Sequence, residues 1–166
     1  MRLALTTIAA LLAAGCSASR TLVAPGSPPA LKVPANERLS LEAFAAGVQI
    51  YECGPGGRWV FKAPQAELAD REGRKIGTHY AGPTWEANDG SKVIGEVKAR
   101  ENARSAGDIP WLLLAAKPAS GYGTLGRTLS IQRMDTVGGV APAEPCPPGA
   151  EARVPYKATY YFYRRR

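Results

Sequence analysis

The sequence predicts an all-β domain, an antiparallel sandwich or small barrel of about seven or more short strands. Three observations carry that prediction. Short runs rich in Val, Ile, Trp and Tyr recur along the chain, and β-branched and aromatic residues favour strands. Glycine-containing turn sequences separate these runs, including Gly54-Pro55-Gly56-Gly57, Asp70-Arg71-Glu72-Gly73 and Asn88-Asp89-Gly90-Ser91. No long stretch shows the 3.6-residue apolar period of an amphipathic helix.

Taken in order, Leu39 to Phe44 reads as a short helix or irregular lead-in. Val48 to Cys53 and Arg58 to Lys62 read as a hairpin across the Gly-Pro-Gly-Gly turn. Lys75 to Tyr80 and Pro83 to Glu86 follow, and Asp89-Gly90 turns the chain into Lys92 to Lys98; Asp-Gly between such runs is a strong hairpin signal. Ile109 to Ala116 is a continuous apolar run that suits a buried strand, although a buried helix shares that pattern. Thr128 to Met134 alternates apolar and polar residues. Gly138 to Gly149 is a Pro- and Gly-rich loop. Val154 to Tyr163 places Val154, Tyr156, Ala158, Tyr160 and Phe162 on one face and Lys157, Thr159, Tyr161 and Tyr163 on the other. Trp59 and Trp111, flanked by apolar residues, are expected in the core.

The N-terminus carries an address. Leu3 to Leu12 is an apolar run with Arg2 as the only nearby charge, and Leu12-Ala13-Ala14-Gly15-Cys16 follows it. A run of that length is too short to cross ~30 Å of hydrocarbon and suits the apolar part of a signal peptide. Small residues ending in Cys resemble the lipobox of a bacterial lipoprotein, which implies cleavage before Cys16, acylation of that residue and, with Ser17 beside it, sorting to the outer membrane. Ala13 stands where a lipobox more often has Leu, and cleavage after Ser17-Ala18-Ser19 is the alternative; it would give a soluble periplasmic or secreted protein. The expected organisation is a signal peptide over 1–15, a lipidated Cys and Pro/Ser/Ala-rich tether over 16–33, one β domain over 34–163 and a basic tail over 164–166. The membrane is thus an expected partner through the lipid anchor.

About 150 residues after Cys16 suffice for one domain with a core. The formal charge of +7 attracts anions, so anionic envelope components or a small ligand are expected partners. The basic residues are scattered apart from Arg164-Arg165-Arg166, and no nucleic-acid-binding motif accompanies them. With Cys16 acylated, Cys53 and Cys146 remain as an even pair in an oxidising compartment. A disulfide between them would close a loop worth roughly 4–5 kcal/mol in chain entropy. No Cys or His spacing matches a zinc site, and no metal or cofactor is expected.

Gly77-Thr78-His79-Tyr80-Ala81-Gly82-Pro83-Thr84-Trp85-Glu86, followed by Asp89-Gly90-Ser91-Lys92-Val93-Ile94-Gly95, resembles a known family. Gly47 to Cys53, Ile109 to Leu114, Ile131-Gln132-Arg133 and Pro155 to Tyr163 resemble its other phrases. This is the domain-of-unknown-function 3455 family, bacterial and fungal proteins that are often secreted. The resemblance covers roughly Pro34 to Tyr163. It implies a domain boundary and an exported setting, and it brings no activity with it.

His79 is the single histidine, able in principle to act as acid, base or ligand near neutral pH. Glu86 and Asp89 are candidates to orient it in a hydrolase-like site, with Ser91, Thr84 or Thr78 as conceivable nucleophiles, but none lies in a nucleophile elbow. The glycines fit neither a Walker loop nor a dinucleotide fingerprint. His79, Tyr80 and Trp85 are candidates for ligand binding, joined by Trp111 and the late tyrosines in an aromatic groove. The leading expectation is a noncatalytic ligand-binding or structural module. The alternatives are a hydrolase using His79 with Glu86 or Asp89, and an envelope protein-interaction partner.

Overall fold

The computed structural model describes residues 22–117 and 122–166. The expected signal segment and Cys16 lie outside these residues.

Eight antiparallel strands follow one another around a closed barrel: β1 (Glu37–Cys53), β2 (Trp59–Ala69), β3 (Lys75–Tyr80), β4 (Thr84–Ala87), β5 (Lys92–Glu101), β6 (Trp111–Ala116), β7 (Ser130–Gly138) and β8 (Glu151–Arg165). Each strand pairs with its sequence neighbours, and β8 returns to β1. Of the two expected architectures, the barrel is the one formed. Closure removes the exposed edges that an open sheet would leave for aggregation.

The expected lead-in at Leu39 to Phe44 is instead the first part of β1. Its apolar residues Leu39, Leu41, Ala43 and Ala45 recur every second position, a strand period. Ala43 and Ala45 are buried in the barrel interior. The apolar run before Lys117 resolves as strand β6, with Leu112 and Leu114 inside and Trp111 and Leu113 outside. Register shifts interrupt five of the ladders, among them Ile50/Tyr51 and Val97/Ala99. Such bulges bend strands and let a small barrel close.

The interior is densely filled at one end. Leu68, Val93, Ile131 and Phe162 pack there, and Leu125 plugs that end from the loop before β7, its backbone N–H held by Ser91 Oγ at 3.0 Å. The middle is dominated by Trp85. Gly95 across from it leaves the necessary room, since a Cβ there would come within 2.9 Å of the indole and of Leu114.

A second cluster lies outside the wall. Leu31, Met134, Tyr161 and Tyr163 are buried there, with Val33, Leu39, Trp111 and Leu113 packed against them. Leu31 belongs to a 3-10 turn (Pro29–Leu31) within the expected tether. Its carbonyl accepts a bond from Gln132 Nε2 at 2.6 Å, and Tyr163 Oη–H donates to Gln132 Oε1 at 2.6 Å. The last part of the expected tether is therefore built into the domain as a strap, because its Leu covers apolar surface on the outer face of β6 to β8. The expected basic tail is also corrected: β8 runs through Arg165, and Arg166 Nε donates to the carbonyls of Ala35 and Glu37.

Trp59 departs from its expected core position. It is half-buried at the barrel rim and donates from Nε1 to the Glu144 carbonyl at 3.1 Å. Trp111 is core only in the outer cluster. The Cys53–Cys146 disulfide forms as expected, joining the end of β1 to the Pro- and Gly-rich loop before β8. That loop is further held by Cys146 N–H to the Gly57 carbonyl at 2.9 Å and by Tyr51 Oη–H to the Gly139 carbonyl at 2.6 Å.

Candidate functional site

At the end opposite Leu125 the barrel is open. A cavity of about 460 Å³ enters there, lined by residues of all eight strands. An eight-stranded barrel is just wide enough to be filled by side chains or to hold one small ligand, and here one half does each.

The floor is aromatic. His79 and Trp85, register partners on β3 and β4, stack with ring centroids 4.4 Å apart and planes 10° from parallel. Tyr160 meets both rings edge-on, at 5.0 Å and 5.2 Å. His79 is 2% exposed, Trp85 1% and Tyr160 1%. His79 Nδ1 lies 2.8 Å from the Thr84 carbonyl. A carbonyl only accepts, so Nδ1 carries the proton and Nε2 is left as an acceptor. Burial lowers the His79 pKa to about 3, with the charge of Arg133 acting the same way and the Thr84 bond opposing. The ring is neutral at physiological pH.

The walls carry cations and unpartnered polar groups. Arg133, Arg100 and Lys62 line the cavity, and no carboxylate does. Arg133 donates from Nε and Nη2 to the Pro110 carbonyl at 3.1 and 2.8 Å, and it forms no ion pair among the described residues. Its charge opposes the burial-driven rise in pKa of Tyr51, Tyr156 and Tyr160. Arg100 points inward because the register shift at Val97/Ala99 reverses the alternation of β5. Lys62 is shared with Glu52 and Glu151 at the rim. Gln49 is 2% exposed and its Nε2 has no hydrogen-bond partner among the described residues, nor do Tyr160 Oη and Trp85 Nε1. Buried polar atoms without partners are costly unless something else supplies the bond.

The residues singled out in the sequence do not converge. His79 and Trp85 share the cavity floor. Tyr80, next along β3, faces outward and donates to Glu86 Oε2 at 2.8 Å, because successive strand residues point to opposite faces. Glu86 is outside as well and pairs with Lys92 at 3.1 Å. Asp89 sits in the turn at the far end of the barrel, accepting from Ser91 and from Thr124 at 2.6 to 3.0 Å. Those bonds hold its carboxyl well below the usual range. Neither Glu86 nor Asp89 orients His79. Thr84 uses its hydroxyl on the Ala81 carbonyl, and Ser91 uses its own on Asp89. No hydroxyl nucleophile is bonded to the imidazole among the described residues. No group of three or more His, Cys, Asp or Glu is arranged to hold a metal among these residues either.

Sequence reasoning missed Gln49, Arg133 and Arg100 as site residues. The available signal was phase: Gln49 and Arg133 occupy positions that alternate with the outward residues of their strands. Arg100 gave no such signal, because a bulge moves it inward.

The fold and the cavity together define a closed eight-stranded antiparallel barrel with a cationic, aromatic-floored pocket at one end. The chain belongs to the DUF3455 family, described as "Protein of unknown function", whose model matches residues 34–164. No curated protein and no solved structure matches.

Proposed function

We propose that this barrel is a noncatalytic binding module that takes a small anionic ligand with a flat apolar body into its open end. The observation that carries the reading is the combination of Arg133, without a counter-ion among the described residues, and an aromatic floor with unpartnered Gln49 and Tyr160. An anionic group would supply acceptors for Arg133 and Gln49. An apolar ring system would cover the Trp85–His79–Tyr160 surface. Sites of this kind are largely apolar with a few placed polar groups.

1-Anilinonaphthalene-8-sulfonate is a suitable probe, being aromatic and monoanionic. Its fluorescence is expected to rise on binding the folded protein, and Arg133→Met is expected to weaken binding about tenfold or more. Equal affinity for the Arg133→Met variant, with folding intact, would remove the anion-binding part of the reading.

The setting belongs to the same proposal. The lipobox-like Leu12 to Cys16, the Ser- and Pro-rich segment after it and the disulfide support an exported protein anchored on the periplasmic face of the outer membrane by acylated Cys16. Labelled palmitate is expected to enter the chain in a bacterial host and to be lost in Cys16→Ser. Labelling that persists in the variant would refute the anchor.

A further inference from the structure

The end of the barrel opposite the cavity carries a concentrated positive charge. Arg38 opens β1, Arg164 and Arg165 close β8, and Arg166, Lys117 and Arg127 surround the same concavity. The strands run antiparallel around the barrel, so the start of β1 and the end of β8 lie at one rim. No carboxylate lines this concavity.

Neighbouring carboxylates at this rim are committed elsewhere. Asp70 and Glu72 pair with Arg74, Glu42 with Arg71, and Asp89 accepts from Ser91 and Thr124. Glu37, in register with Arg165, offsets one charge. The cluster is held rather than splayed: Arg164 lies on a paired strand with Nε buried, and Arg166 is tied to the carbonyls of Ala35 and Glu37.

Two more observations give the surface its character. Tyr122 is 98% exposed and borders an adjoining concavity with Arg127 and Arg164. A ring with an apolar body and a polar tip, beside arginines, suits a membrane–water interface. The N-terminal strap reaches the same rim, since Leu22, Ala24 and Pro25 share a concavity with Arg38 and Arg166. Six peptide units separate Leu22 from Cys16, a span of at most roughly 20 Å.

We infer that this basic rim is a docking surface for the headgroups of anionic phospholipids, holding the barrel against a membrane with its cavity facing away. Lysine and arginine within a Debye length of an anionic surface are attracted to its headgroups, and the attraction is screened by salt. The inference rests on the rim's own residues and does not require the acyl chain.

The test uses the full chain carrying Cys16→Ser, so that no acyl group contributes, in co-sedimentation with phosphatidylcholine vesicles with and without phosphatidylglycerol. Binding is expected only to the anionic vesicles, and it should weaken as salt rises. The double variant Lys117→Glu, Arg127→Glu alters two exposed side chains of the rim that form no ion pair among the described residues, and it should retain the wild-type urea midpoint. It is expected to bind about tenfold or more weakly. Equal binding to both vesicle types, absence of binding, or unchanged affinity in the charge-reversed variant would overturn the inference. So would displacement by inorganic phosphate beyond that by sodium chloride of equal ionic strength, which would mark a site for free phosphate instead.

Discussion

Serine at both Cys53 and Cys146 is expected to lower stability by about 4 kcal/mol and the melting temperature by about 10 °C or more. The two cysteines are 93 residues apart in sequence. The cross-link therefore encloses six of the eight strands, β2 to β7, and removes a large loop-closure entropy from the unfolded chain. Its native role is local. It pins the loop between β7 and β8 across the open end, where Gly139 packs against Gln49 and Tyr156. Double replacement leaves neither partner as a lone thiol, so the urea midpoint reports the cross-link itself. A change of less than about 1 kcal/mol would mean that the unfolded chain is not appreciably constrained by this bond.

The second large effect is set by pH. The His79 pKa falls from 6.5 in the unfolded chain to about 3 in the barrel. The folded state therefore refuses a proton that the unfolded state accepts. The stability this withholds is fully present above pH 6.5 and is lost progressively as the pH falls toward 3. The slope is about 1.4 kcal/mol per pH unit, or roughly 2–3 kcal/mol between pH 6.5 and 4.5. The carboxylates with lowered pKa, such as Glu86, Asp70 and Asp89, act chiefly below that interval. Denaturant titrations across it should show a steep loss for the wild type and a shallower one for His79→Gln. Parallel curves for the two proteins would show that His79 accepts its proton in the folded state. Such a result would also place the ring in a wetter site than its 2% exposure implies.

Much of the fold was readable because strands announce themselves by alternation and turn residues. Most of the runs that became strands carry that signature, Ile109 to Ala116 being a continuous apolar run instead, and Asp89-Gly90 and Gly56-Gly57 turn where turns were expected. Leu39 to Phe44 was misread because Ala and Glu are good helix formers, while pairing with β8 on one side decided the strand. The strap was missed for a related reason: a Pro- and Ser-rich composition hides a single buried Leu31 whose role depends on a distant outer wall. Barrel against sandwich was left open because both have the same alternating strands, and only the β1–β8 pairing separates them.

The site was less legible. His79 and Trp85 were found because they stand out chemically and fall on the inward phase of adjacent strands. Tyr80 and Glu86 were grouped with them by proximity in sequence, yet a strand sends neighbours to opposite faces. Asp89 is only three residues beyond Glu86, but the β4–β5 turn carries it to the far rim. Arg133 and Gln49 come from strands distant in sequence, and nothing local marks the cavity they share.

The most direct test of the binding reading is an NMR titration of the wild-type protein with 1-anilinonaphthalene-8-sulfonate, observing the Trp85 indole N–H and the His79 ring protons. Both lie on the cavity floor, and Trp85 Nε1 has no partner among the described residues. Both signals are expected to shift together and to saturate with the same affinity, while the Trp59 indole, bonded to Glu144 at the rim, moves less. Binding that shifts neither Trp85 nor His79 would place the ligand elsewhere and contradict the assignment of this cavity as the binding site.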